Sequence, residues 1–198
     1  MKIHCIGDSH ISLFSGEHRI IGYNVLVKNR EFYTVHVGPY TAFNAHKKEK
    51  IKNLCDKIPK NEHLLFSFGE IDTRCRVHLS EDKIKNINLI SDNYFKLINR
   101  VKHKVIVLGV TPCLFEEPMK DFPERMDIRT LTKGTLEERN FYKKTFNDIV
   151  EKRCKKEDHI FIDYWDFCKE KENLYLDDIH LSGKEVIETI RELIINKI

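Results

Sequence analysis

Lys2-Ile3-His4-Cys5-Ile6-Gly7-Asp8-Ser9-His10 is a short, apolar-centred run that stops abruptly at glycine, an acid, a hydroxyl and an imidazole. A run of that kind fits a strand buried on both faces of a parallel sheet. Four more resemble it: Phe32–Gly38, His63–Gly69, Lys104–Val110 and His159–Tyr164. Helix-length segments lie between them. Residues 42–58 and 80–101 carry spaced apolar positions, the second through Ile84, Ile87, Leu89, Ile90, Phe95, Leu97 and Ile98. Two later segments open with a hydroxyl and a glutamate three residues on, the pairing of a capping box. Thr135-Leu136-Glu137-Glu138 predicts a helix to about Lys155, and Ser182-Gly183-Lys184-Glu185 predicts the last one. Strand and helix alternate, so the expected fold is an α/β, three-layer α/β/α sandwich around a five-stranded parallel sheet. Residues 11–31 are open to a hairpin, a short helix or an excursion. Residues 111–133, with Pro112, Pro118 and Pro123, predict a long loop or lid.

The 198 residues, 41% of them hydrophobic, suit a single domain over 1–198. The 34 basic and 31 acidic side chains leave a net charge of +3, without the concentrated basic face of a nucleic-acid binder. The run His46-Lys47-Lys48-Glu49-Lys50-Ile51-Lys52 reads as a solvated helix face, since it lacks interleaved aromatic residues for stacking. No apolar stretch reaches the ~18–20 residues of a membrane span. No secretory leader precedes the first strand, so the expected compartment is the cytoplasm. Cys5, Cys55, Cys75, Cys113, Cys154 and Cys168 are scattered, without a CxxC pair, and are expected as reduced core and surface thiols.

In open parallel sheets the site lies outside the carboxyl ends of the strands. Polar residues gather there. The first strand ends in Asp8-Ser9-His10 and the second in Gly38-Pro39-Tyr40-Thr41. The third ends in Gly69-Glu70-Ile71-Asp72-Thr73-Arg74-Cys75-Arg76-Val77-His78, and Asp177-Asp178-Ile179-His180 precedes the last helix. Ser9, at a strand-to-helix bend, can project its hydroxyl. Asp177 and His180 can set a carboxylate against one imidazole nitrogen while the other faces Ser9. That is the nucleophile, base and orienter arrangement of acyl transfer. The Gly38 amide would add a donor to an oxyanion hole.

These blocks, in this order and across nearly the whole chain, resemble the SGNH (GDSL) hydrolase superfamily. The resemblance implies strand order 2-1-3-4-5. It also implies Ser9 as nucleophile, His180 as general base and Asp177 as orienter, with the Ser9 and Gly38 amides as oxyanion donors. One departure stands out. Where the family has Gly-x-Asn-Asp, this chain has Gly69-Glu70-Ile71-Asp72, and isoleucine cannot donate. Arg74, Arg76 or His78 can supply a replacement. Alternatively Glu70, Asp72 and the two arginines form a structural ion-pair network. Asp8, His10, Glu70, Asp72, Arg74, Arg76 and His78 are therefore the candidate substrate contacts.

The expected activity is hydrolysis of small acyl esters, acetyl esters of carbohydrates above all, with no cofactor or metal. The expected partner is a small-molecule or glycan acyl ester, not nucleic acid or membrane. Acyl transfer to a sugar hydroxyl would use the same residues, and a glycan-binding domain without turnover would keep the fold. Asp8-x-His10 also opens the ligand set of metal-dependent phosphoesterases, whose later histidine-rich blocks are absent here. Tyr40, Thr41 and the Tyr164-Trp165 pair read first as packing residues.

Overall fold

The computed structural model describes residues 1–17, 19–115, 134–169, 171–175 and 180–198. Its strands are β1 (Ile3–Gly7), β2 (Leu26–Asn29), β3 (Phe32–His36), β4 (His63–Ser67), β5 (Val105–Leu108) and β6 (Ile160–Ile162). Its α-helices are α1 (Glu49–Cys55), α2 (Lys83–Ile98), α3 (Leu136–Lys156), α4 (Trp165–Cys168) and α5 (Lys184–Ile195). The strands form one sheet in the order β2-β3-β1-β4-β5-β6. All neighbours pair in parallel except β2 and β3. The five expected strands thus hold the expected relative order, and the count is corrected from five to six.

The sixth strand comes from the ambiguous stretch 11–31, which is both a helix and a hairpin. A 3-10 helix covers Ser9–Ser15, and β2 then turns back onto β3 through Arg30, whose φ is 52°. β2 alternates exposed and half-buried residues, so it lacks the apolar run that marks the other five strands.

Side chains of a strand alternate between the faces of the sheet, and the two cores follow that alternation. Ile6, Leu64, Phe66, Val105 and Val107 pack on one face with inward residues of α1, α2 and α3. Ile3, Cys5, Leu65, Ile106, Leu108 and Ile162 pack on the other with the Ser9–Ser15 helix, α4 and α5. The result is a three-layer α/β/α sandwich.

The capping box at α3 forms as expected, with the Thr135 hydroxyl and the Glu138 carboxylate each taking the other's backbone amide. The second does not. Gly183, with φ at 105°, is the N-cap of α5, so Ser182 and Glu185 fall one position out of register for the pairing. Segment 42–58 breaks into a 3-10 turn, Ala45–Lys47, and α1, because Lys48 between them is extended. All six thiols are free, and all six are buried; none is a surface residue. No helix among the described residues is long and apolar enough to cross a membrane.

The strand order reverses at β1. The chain leaves β1 for β3 on one side and later returns to β4 on the other. That reversal opens a crevice beyond the carboxyl end of β1.

Candidate active site

Ser9 occupies that crevice. At the end of β1, Gly7 lies opposite Ser67 of β4. A Cβ on Gly7 would stand 2.4 Å from the Ser67 carbonyl oxygen, so only glycine permits this approach. The Asp8 amide donates to the same oxygen at 3.2 Å. The Asp8 carboxylate then caps the 3-10 turn by accepting from the His10 amide at 3.0 Å. Ser9 is thereby the first residue of a turn, where amides are left without helical acceptors.

His180 reaches the same point from the other end of the chain. Its Nε2 lies 2.8 Å from Ser9 Oγ, and the residue is 9% exposed. Two contacts hold the segment that carries it: a bridge between Leu181 and Tyr175, and a bond from the Ser182 amide to the Leu174 carbonyl. The His10 ring, a candidate substrate contact, stacks on the His180 ring with centroids 4.5 Å apart. Burial, with His180 and Arg74 nearby, holds His10 well below the usual histidine range, so it is neutral. Burial also pushes Asp8 well above the usual carboxylate range, and Glu70 and Asp72 add to that. Asp177 and Asp178 lie outside the described residues, as does segment 116–133 of the expected lid.

Gly38 follows β3 with φ at 120°, which glycine adopts without strain. Its amide makes no hydrogen bond among the described residues. The loop after it is braced from β4. Asp72 accepts from the Ala42 amide at 2.6 Å, and Arg76 stands 3.4 Å from the other Asp72 oxygen. The Arg76 guanidinium also lies 4.1 Å from the centre of the Phe43 ring. Burial pushes Asp72 up to about 7, against the pull of Arg76 and the loop amides.

The third block therefore divides. Asp72 and Arg76 form the ion pair of the network reading. Glu70 also pairs, but with Lys143 of α3, which donates as well to the Thr111 carbonyl at 3.0 Å. His78 is turned toward α3 and meets the Tyr142 ring edge-on. Arg74 pairs with neither acid. It is 5% exposed, and its Nε and Nη1 are buried without hydrogen-bond partners.

The sequence reading missed the contribution of α3. Asn140, Lys143 and Asn147 recur at helical spacing and reach the segment after β5. Asn147 exchanges two bonds of 2.9 Å with Val110, and Asn140 exchanges two with Cys113 at 2.7 and 3.0 Å. Polar residues in register with the inward Phe146, Val150 and Cys154 were the available signal. Trp165 stands against α3, with the Lys144 ammonium 5.7 Å from its ring. Tyr40 is covered in the same way by Lys48, at 4.9 Å. Among the described residues no three His, Cys, Asp or Glu side chains are grouped so as to hold a metal ion. Asp8 and His10 turn to different partners.

Neither a family model nor a curated protein matches the sequence. Solved structures do match over nearly the full chain. A lipolytic G-D-S-L family protein from Veillonella parvula superimposes with a TM-score of 0.56 at 12% identity, covering 99% of this chain and 97% of that one. An acetylxylan esterase from Geobacillus stearothermophilus, solved as a catalytic mutant, gives 0.57 at 12% identity over 97% and 93%. A phospholipase A1 from Streptomyces albidoflavus gives 0.51 at 13% identity over 99% and 98%. At such identities the likeness is one of fold.

Proposed function

We propose that this chain, which has the fold of the SGNH (GDSL) hydrolases, is a serine ester hydrolase acting on small acyl esters, acetylated carbohydrates first among them. The observation that carries the reading is the 2.8 Å approach of His180 Nε2 to Ser9 Oγ at the strand-order reversal. With its proton on Nδ1, His180 accepts the serine proton as Oγ attacks the acyl carbon. The carbonyl electrons move onto oxygen, and in this reading the Ser9 and Gly38 amides donate to the charge. Collapse expels the alcohol, which takes the proton from His180 and leaves an acyl-enzyme. Water then repeats the sequence and releases the acid. In this scheme Asp177 fixes the His180 tautomer. The polar strand ends and the acetylxylan esterase among the structural neighbours support an acetyl-sugar substrate.

The test is intact mass after incubation with a fluorophosphonate, alongside turnover of p-nitrophenyl acetate. A single adduct is expected on the native protein, with none on Ser9→Ala or after heat denaturation. Ser9→Ala should fold normally and lose all turnover. Retained activity in that variant would remove the serine mechanism. Asp177→Asn should lower kcat by roughly 10⁴ through the wrong imidazole tautomer; an unchanged rate would assign the orienting role elsewhere.

A further inference from the structure

We propose that the Arg74 guanidinium is the side-chain donor of the oxyanion site, doing there what Ile71 cannot. The proposal rests on the reading of Ser9 as nucleophile. It starts from a charge inventory. Three acids and three bases from β1, β4 and α3 meet at the strand ends. Glu70 is matched to Lys143 and Asp72 to Arg76. Asp8 spends one oxygen on the His10 amide and leaves the other without a hydrogen-bond partner, so among the described residues it forms no ion pair with Arg74. Among the described residues no carboxylate pairs with Arg74. It is a 5%-exposed cation with two nitrogens lacking any acceptor among the described residues.

An unmatched buried charge is expensive. A buried guanidinium is tolerable where the reaction itself delivers the missing anion, and an acyl-transfer site does so in each half-reaction. The position agrees. Arg74 lies on a π-helical turn, Asp72–Arg76, that follows β4, and β4 pairs with β1 up to the residue before Asp8. Such turns re-aim side chains and recur at functional sites. Thr73 fixes the start of this one through bonds to the Gly69 and Glu70 carbonyls. Arg74 is near enough to Asp8 and His10, on either side of Ser9, to lower the proton affinity of both. Ile71, at the place of the missing amide, has no side-chain donor.

In the step itself the Ser9 Oγ–acyl carbon bond forms and the carbonyl π bond breaks onto oxygen. The Ser9 proton moves to His180. Arg74 stays protonated and donates to the oxyanion together with the Ser9 and Gly38 amides. When the carbonyl re-forms, the bond to the leaving alcohol breaks and Arg74 returns to its unmatched state.

The test compares an aryl acetate with its thionoacetate, whose sulfur accepts hydrogen bonds weakly, in the wild type, Arg74→Met and Arg74→Lys. Loss of an oxyanion donor should lower kcat for the oxygen ester by ~10²–10³ in Arg74→Met. KM should change less than about threefold, and the oxygen-to-sulfur rate ratio should fall about tenfold or more. Arg74→Lys keeps the charge but not the fork, and its ratio should fall about tenfold. A merely structural arginine would slow both esters alike. A wild-type ratio in either folded variant overturns the proposal, and if Arg74→Met does not fold, Arg74→Lys decides. Fluorophosphonate labelling separates the two readings. No adduct on the wild type defeats the serine nucleophile, whereas an adduct with an unaltered ratio defeats Arg74 alone.

Discussion

Gly7 and Asp8 set the position of Ser9, the proposed nucleophile. A methyl group on Gly7 would press on a backbone oxygen that already accepts from Asp8, and neither strand can yield without losing pairing. Gly7→Ala should therefore destabilise the protein by about 1–3 kcal/mol. The urea midpoint should fall at constant m-value, and the proposed ester turnover should fall with it. Asp8 is legible in the sequence as part of a strand-end cluster, but its work as the cap of the turn needed the structure. The same holds for His10. Its place beside Ser9 is written in the chain, while its stacking on His180 joins residues 170 positions apart (180 − 10).

Among the elements, α3 does more than cover the sheet. Its amphipathic pattern is weak because the buried stripe is interrupted by Asn140, Lys143 and Asn147, which hold the backbone after β5. Asn147→Leu keeps the volume but strands the Val110 amide and carbonyl. Each lost partner leaves a buried group unsatisfied at about 1–3 kcal/mol, so a loss of roughly 2–4 kcal/mol is expected in chemical denaturation. Thr135→Ala removes only the cap and should cost about 1 kcal/mol. If the two variants proved equal, the Asn147 bonds would carry no special weight. The cap was readable from four consecutive residues. The polar stripe was not, because a helix does not reveal which of its polar residues face inward until its neighbours are placed.

At the scale of the whole molecule, buried titratable groups set a pH window. Asp72, pushed up to about 7 from an ordinary 3.8, binds its proton more tightly in the folded state. Its contribution to stability is complete below about 4 and is lost as pH rises through about 7. Asp8 is raised by burial too and acts with the same sign. His10, His36 and His159 act oppositely: burial lowers each of them, so stability is lost as pH falls through the ordinary 6.5. The two effects oppose each other between about pH 4 and 6.5. Asp72→Asn should remove the aspartate contribution, so that Tm changes more favourably from about pH 4 to 7 than in the wild type, read across buffers of constant ionic strength. A slope equal to that of the wild type would place the titration on another group.

The sequence by itself determined five parallel strands and the strand-end clusters that carry Ser9 and His180. Those features are periodic or local: apolar runs announce buried strands, and polar groups after glycine announce a strand end. Tertiary structure alone decided the rest. It added β2, whose half-exposed pattern carries no core signal, and moved the start of α5 onto Gly183. It sorted the acids and bases of the Gly69–His78 block among Lys143, Arg76 and the loop after β3. Charge matching depends on distances between elements far apart in the chain, so only the fold could leave Arg74 a buried cation without an acid among the described residues.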